Sequence, residues 1–167
     1  MGRMGLVRKT TLALMAMASF IIGLAYVGSG LASVINWLSN WFSLRYEVLP
    51  AVIPPDPWLS VVLVTIGLVL ISSAYYLMRN NTLMTIATLL IGSGLAVAVM
   101  AIQVIATLAS VVDVAINGEL MINQLLSGLI RVDAILGYIS TPLFILSSVL
   151  FRLMRKEKLL GLTLHLK

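Results

Sequence analysis

The sequence predicts an all-α, polytopic membrane protein: four transmembrane helices, with a short amphipathic interfacial helix between spans three and four. Three observations predict it. Of 167 residues, 60% are apolar and 10% charged, too little polarity to cover a water-soluble globule of this size. Four long stretches are almost free of charge, and each is long enough to cross a hydrocarbon core. The basic residues gather at alternate ends of those stretches. The same composition excludes intrinsic disorder, which needs low hydrophobicity and high charge.

The first span is expected over 10–35, with no charge after Lys9 until Arg45. Gly30-Leu31-Ala32 has the small-residue form of a signal cleavage site, but the apolar run before it is longer than a signal peptide uses. The second span covers 59–78 and the third 82–112, which is long enough to require tilt or protrusion. The fourth, 134–151, lies near the lower length limit. Residues 1–167 then form a single membrane domain with little chain left for a soluble one.

The connections differ in character. Between spans one and two lie Pro50, Pro54, Pro55 and Pro57, which forbid a continuous helix. Trp37, Trp41 and Trp58 flank this loop, with Phe42 and Tyr46 between them. Such rings form a belt at the headgroup level, and the loop is expected to fold back onto its leaflet. Met78 to Thr82 is a tight hairpin in which Asn81 or Thr82 caps the third span. After the Asn117-Gly118 turn, Glu119, Asn123, Ser127 and Arg131 repeat every four residues on an otherwise apolar segment. That pattern predicts the interfacial helix over 119–131; the alternative is a fourth helix running unbroken from Glu119 to Phe151. Residues 152–167 form a basic tail at the membrane surface.

Charge sets the expected orientation. Nine basic residues fall on the side of the termini and of Arg79, against Arg45 and Arg131 on the other. The positive-inside rule then puts the N- and C-termini in the cytoplasm of a multi-pass cell-membrane protein. Topology also accounts for the pI near 9.9 without nucleic acid.

Chemistry is sparse. Cysteine is absent and His165 is the one histidine, which excludes disulfides, iron–sulfur clusters and thiolate zinc sites. No Walker A, dinucleotide, HExxH or calcium-loop motif occurs, so no cofactor or metal is expected and no catalytic residue is nominated. Gln103 and Thr107 are the candidates for a polar pathway. Gly92-Ser93-Gly94 has the composition of an unwound transporter site, though helix packing is the simpler reading. Asp113, Glu119, Arg131 and Asp133 are expected as solvated charges, with Asp113 pairing Arg131.

Small residues carry more pattern. Ser19 and Gly23 in span one, and Gly92, Gly94 and Ala98 in span three, have the spacing that lets helix backbones approach closely. Arg152, Arg155, Lys156 and Lys158 are candidate contacts for anionic lipid. The expected partners are therefore the bilayer, anionic lipid at the tail, and other membrane chains or a second copy. These features point to a non-enzymatic structural or accessory subunit of a larger membrane assembly. The alternative is a small transporter or channel that forms its pathway by oligomerisation.

Overall fold

The computed structural model describes residues 2–44, 46–49, 52–116 and 130–165. They form four helices: α1 (Gly2–Trp41), α2 (Pro57–Met78), α3 (Thr82–Ile116) and α4 (Val132–His165). Each contains a stretch long and apolar enough to cross a membrane: Lys9–Trp41, Pro57–Met78, Thr82–Asp113 and Val132–Arg155. Sequential helices pack side by side, and α4 returns to touch α1, closing an antiparallel bundle. Both termini and the α2–α3 turn lie at one end. The α1–α2 loop and the start of α4 lie at the other, called the loop end below.

Local chemistry sets the helix ends. Asp56 caps α2: its carboxylate accepts from the amides of Trp58 and Leu59, and Pro57 supplies the preset first helical residue. The helix therefore starts two residues earlier than its hydropathy alone indicates. At the other end of α2, Asn81 N–H reaches Tyr76 O and Asn80 N–H reaches Leu77 O, with Asn80 left-handed at φ 53°. This is a Schellman stop in which asparagine takes the usual glycine position. Asn81 Oδ1 then accepts from Met84 N–H and caps α3. The expected hairpin is thus two opposed caps.

Two expectations about α4 change. Ile130 is a turn and Arg131 a bend, so no helix runs unbroken from Glu119 to Phe151, and residues 130–131 do not belong to an interfacial helix. Residues 119–129 of that element lie outside the described residues. The tail is no separate surface helix at its start: α4 continues from the span through Arg152 and Arg155 to His165. Arginine, lysine, glutamate and leucine all propagate a helix, and no glycine interrupts them before Gly161.

Two apolar layers fill the bundle. Near the loop end, Tyr26, Leu63, Ile66, Leu70, Ala96 and Leu136 interlock from all four helices. Toward the termini, Leu12 and Met15 pack on Ile86, Leu89 and Leu143. About 26 Å of helix separates Trp58 from Tyr75 on α2, near the thickness of a hydrocarbon core. Trp58 is 82% exposed, and at the opposite end Arg79 lies 4.9 Å over the Tyr75 ring. Aromatic side chains therefore mark both ends of the span.

Candidate functional site

Polar residues line the inside of the bundle at seven-residue intervals. On α1 the buried series is Leu12, Ser19, Tyr26 and Ser33; on α4 it is Asp133, Ser140 and Ser147. On α3, Ile86, Ser93 and Thr107 keep the same phase. A seven-residue repeat holds one face against its neighbours along the whole helix, as in coiled coils. The buried faces thus mix serine and threonine with the leucines and isoleucines of the two apolar layers.

Most of these hydroxyls are satisfied locally. Ser93, Ser140 and Thr107 donate to the carbonyls of Leu89, Leu136 and Gln103, each four residues back on the same helix. Between α1 and α2, Ser19 Oγ donates 2.9 Å to Leu70 O and also meets Ser73 Oγ. The backbones approach closely there. A Cβ on Gly23 would stand 2.8 Å from Gly67 O, and one on Gly67 would stand 2.6 Å from Gly23 O.

The nominated packing residues therefore divide. Ser19 and Gly23 face α2 within this chain. Gly92 meets Leu70 and Val69 of α2, and Gly94 meets the Phe144 ring of α4. Ala98 points outward, while Ala96, two residues earlier, is fully buried. Gly92-Ser93-Gly94 is continuous α-helix, so the unwound ligand site does not form. Its hydroxyl bonds to the helix itself.

Three buried groups were not nominated from the sequence. The Asn36 side chain, 1% exposed, donates to Val48 O and Ile53 O and accepts from Val48 N–H. Ser33 donates to Pro54 O and Asp56 O. Together they bind the α1–α2 loop to the end of α1, and Val132 N–H bonds Val52 O to tie the loop to α4. Asp133 is the second surprise. It is 2% exposed and pairs with Arg131 at 3.4 Å, so the expected Asp113–Arg131 pair is replaced and one of the four charges is not solvated. Its place in the first turn of α4 suits the helix dipole. The third is Tyr26. Its hydroxyl is fully buried and turned toward Ser140 and Asp133 of α4, yet completes no well-formed hydrogen bond among the described residues.

Gln103 is half-buried on α3, and Thr107 closes onto its carbonyl. Arg152 and Arg155 are exposed at the end of the apolar stretch of α4. The side chains of Lys156 and Lys158 lie outside the described residues. Among the described residues, no three His, Cys, Asp or Glu side chains gather in a metal-binding group. The seven-residue phase was present in the sequence and would have found Tyr26, Ser33 and Ser140. Asn36 carried no such signal, because its partners are main-chain atoms of a loop. Comparison with protein-family models, curated proteins and solved structures finds no match to this chain. Fold and site define a class only: the described residues form a helical bundle with four membrane-length helices.

Proposed function

We propose that this chain is a non-enzymatic integral membrane protein acting as a structural or accessory subunit of a larger membrane assembly. One observation supports this reading above others. The inward hydroxyls of Ser93, Thr107 and Ser140 are closed onto their own helices rather than left free along a path. A pathway for ions or polar solutes needs replaceable ligands along its length. An interior satisfied in this way leaves the outer surface to carry the work. The small-residue seams no longer support partner binding directly, because Gly23, Gly92 and Gly94 are met by helices of the same chain. The case now rests on the closed interior. Arg152, Arg155, Lys156 and Lys158 fit anionic headgroups near the membrane surface.

Orientation belongs to the same proposal. The nine-to-two distribution of basic residues assigns both termini to the cytoplasm of a cell membrane. The chain lacks cysteine, so single cysteines at exposed Asn40 and Asn80 report directly. An impermeant maleimide on intact cells is expected to label position 40 and spare position 80. Labelling at 80 reverses the assignment.

The functional test has two arms. Isolation from native membranes in mild detergent is expected to recover the chain with a second protein in fixed ratio. Purified protein alone in liposomes is expected to pass no solute, and Gln103→Leu is expected to change nothing. Flux by the wild type that disappears in Gln103→Leu would replace this proposal with a transporter or channel.

A further inference from the structure

The described residues of the α1–α2 loop combine two properties that seldom occur together, a strongly apolar outer surface and a backbone bonded largely within the protein. Phe42, Leu44, Tyr46 and Leu49 are each 60–68% exposed. On either side stand Trp41 at 71% and Trp58 at 82%. A loop of this kind in water would carry a costly apolar patch and would be expected to spend its amides on solvent.

This loop does the reverse. The amides of Phe42, Ser43, Leu44, Val48, Val52 and Ile53 all donate within the protein. Pro50, Pro54, Pro55 and Pro57 have no amide hydrogen to satisfy. The carbonyls of Val48, Val52, Ile53, Pro54 and Asp56 are taken by Asn36, Val132 and Ser33. Internal satisfaction of the backbone is the condition for placing irregular chain at membrane depth. Ser43 and Leu49 hold left-handed backbone, at φ 54° and 47°. At Leu49 that conformation carries a leucine side chain pointing outward rather than a glycine.

We infer that the described residues of the loop, 42–44, 46–49 and 52–56, form a preshaped wedge seated in the acyl–headgroup boundary of the leaflet at the loop end, with Asn36 as the residue that holds its shape. Lipid is the occupant because the exposed apolar side chains of the loop continue those of Ile35 and Leu38 on α1 and Val61 on α2, the faces that meet acyl chains. Exposed Asn40, Ser43 and Glu47 lie among them. The rings are the amphipathic kinds that prefer the headgroup level. Of the two acids within the wedge, Asp56 is committed to capping α2, and exposed Glu47 sits between Tyr46 and Val48, where a carboxylate can reach the headgroups. The inference rests on membrane insertion but not on the accessory-subunit reading.

Spin labels test it on the full chain, which has no native cysteine. Phe42→Cys, Tyr46→Cys and Leu49→Cys are labelled singly in liposomes of phosphatidylcholine and phosphatidylglycerol. Collision with oxygen reports lipid, and collision with a nickel chelate reports water. Leu24→Cys, 51% exposed in mid-span, is the lipid reference, and Asn80→Cys in the α2–α3 turn is the water reference. All three loop labels are expected to show an oxygen-to-nickel ratio several-fold above that at position 80. Adding Asn36→Ala is expected to mobilise the label at position 46 and raise its nickel collisions; Ser33→Ala is the milder second variant. Loop labels matching position 80 overturn the wedge. Loop labels low to both colliders, as under a protein partner or a second copy, overturn it as well. A position-24 label that meets water would signal failure of insertion itself, a separate result.

Discussion

In the α1–α2 hairpin, main chain meets main chain. A Cβ added at Gly23 would stand 2.8 Å from Gly67 O, one at Gly67 2.6 Å from Gly23 O, and one at Gly30 3.0 Å from Ser60 O. In the α3–α4 hairpin the two glycines differ. A Cβ added at Gly94 would stand 3.3 Å from the Phe144 ring, whereas one at Gly137 would overlap Met100 Cβ and stand 3.1 Å from Ala96 O. The Phe144 ring beside Gly94 can rotate away, whereas Met100 Cβ beside Gly137, like a helical carbonyl, cannot move without its helix. The first hairpin is therefore a rigid, hydrogen-bonded unit, joined by Ser19 to Leu70 O and Ser73 and closed by the Asn36 clamp. The second has room to adjust at Gly94, where only a ring is met, but is as close as the first at Gly137. In lipid this difference matters, since apolar side chains gain nothing by leaving water and close contact supplies much of the cohesion.

The sharpest way to break that comparison is to add bulk to both hairpins. Gly67→Leu is expected to destabilise the bundle by about 3 kcal/mol, the upper end for overpacking, when helix content is followed through a denaturing-detergent titration. Gly94→Leu is expected to cost about 1 kcal/mol, because Phe144 can turn aside. Equal losses would mean that the two seams are alike. Gly28, with nothing within 4 Å, is the control, and Gly28→Ala is expected to cause no loss.

Next in size is the clamp. Asn36→Ala removes three hydrogen bonds and leaves buried main-chain groups unpaired, an expected loss of about 1–3 kcal/mol. The loss is expected with faster protease cleavage within 42–56 while α3–α4 stays protected. Cleavage that is unchanged would show that the loop holds its shape without Asn36.

Tyr26→Phe tests the buried hydroxyl between the hairpins that faces Ser140 but completes no well-formed hydrogen bond among the described residues. Removing a buried polar group that lacks a partner is expected to leave stability unchanged or to raise it by about 1 kcal/mol. A loss above that size would show that the hydroxyl is bonded in the membrane. The smallest effect is expected from the α1–α2 hydroxyl pair. A double-mutant cycle of Ser19→Ala and Ser73→Ala is expected to give a coupling of about 0.6 kcal/mol, the usual value for such a bond between membrane helices.

Much of this fold is legible in the chain. Apolar run length alone located four helices, the Arg79-Asn80-Asn81 turn fixed the α2–α3 hairpin, and the four prolines forced a non-helical α1–α2 connection. These are local properties, set by hydropathy, capping and backbone chemistry. Helix facing is not local. A span apolar all round has little contrast between its faces, so Ala96 and Ala98 look equivalent in sequence, yet one is buried and the other exposed. The same holds for Gly23, whose spacing announced a seam but not that Gly67 of the same chain would fill it. Asp133 reads as a loop charge at a span boundary until α4 turns it inward, beneath Arg131 and toward Tyr26. Hydropathy decides that a segment leaves water. Which of its neighbours it then meets depends on backbone approach and hydrogen-bond geometry, which exist only once the helices are packed.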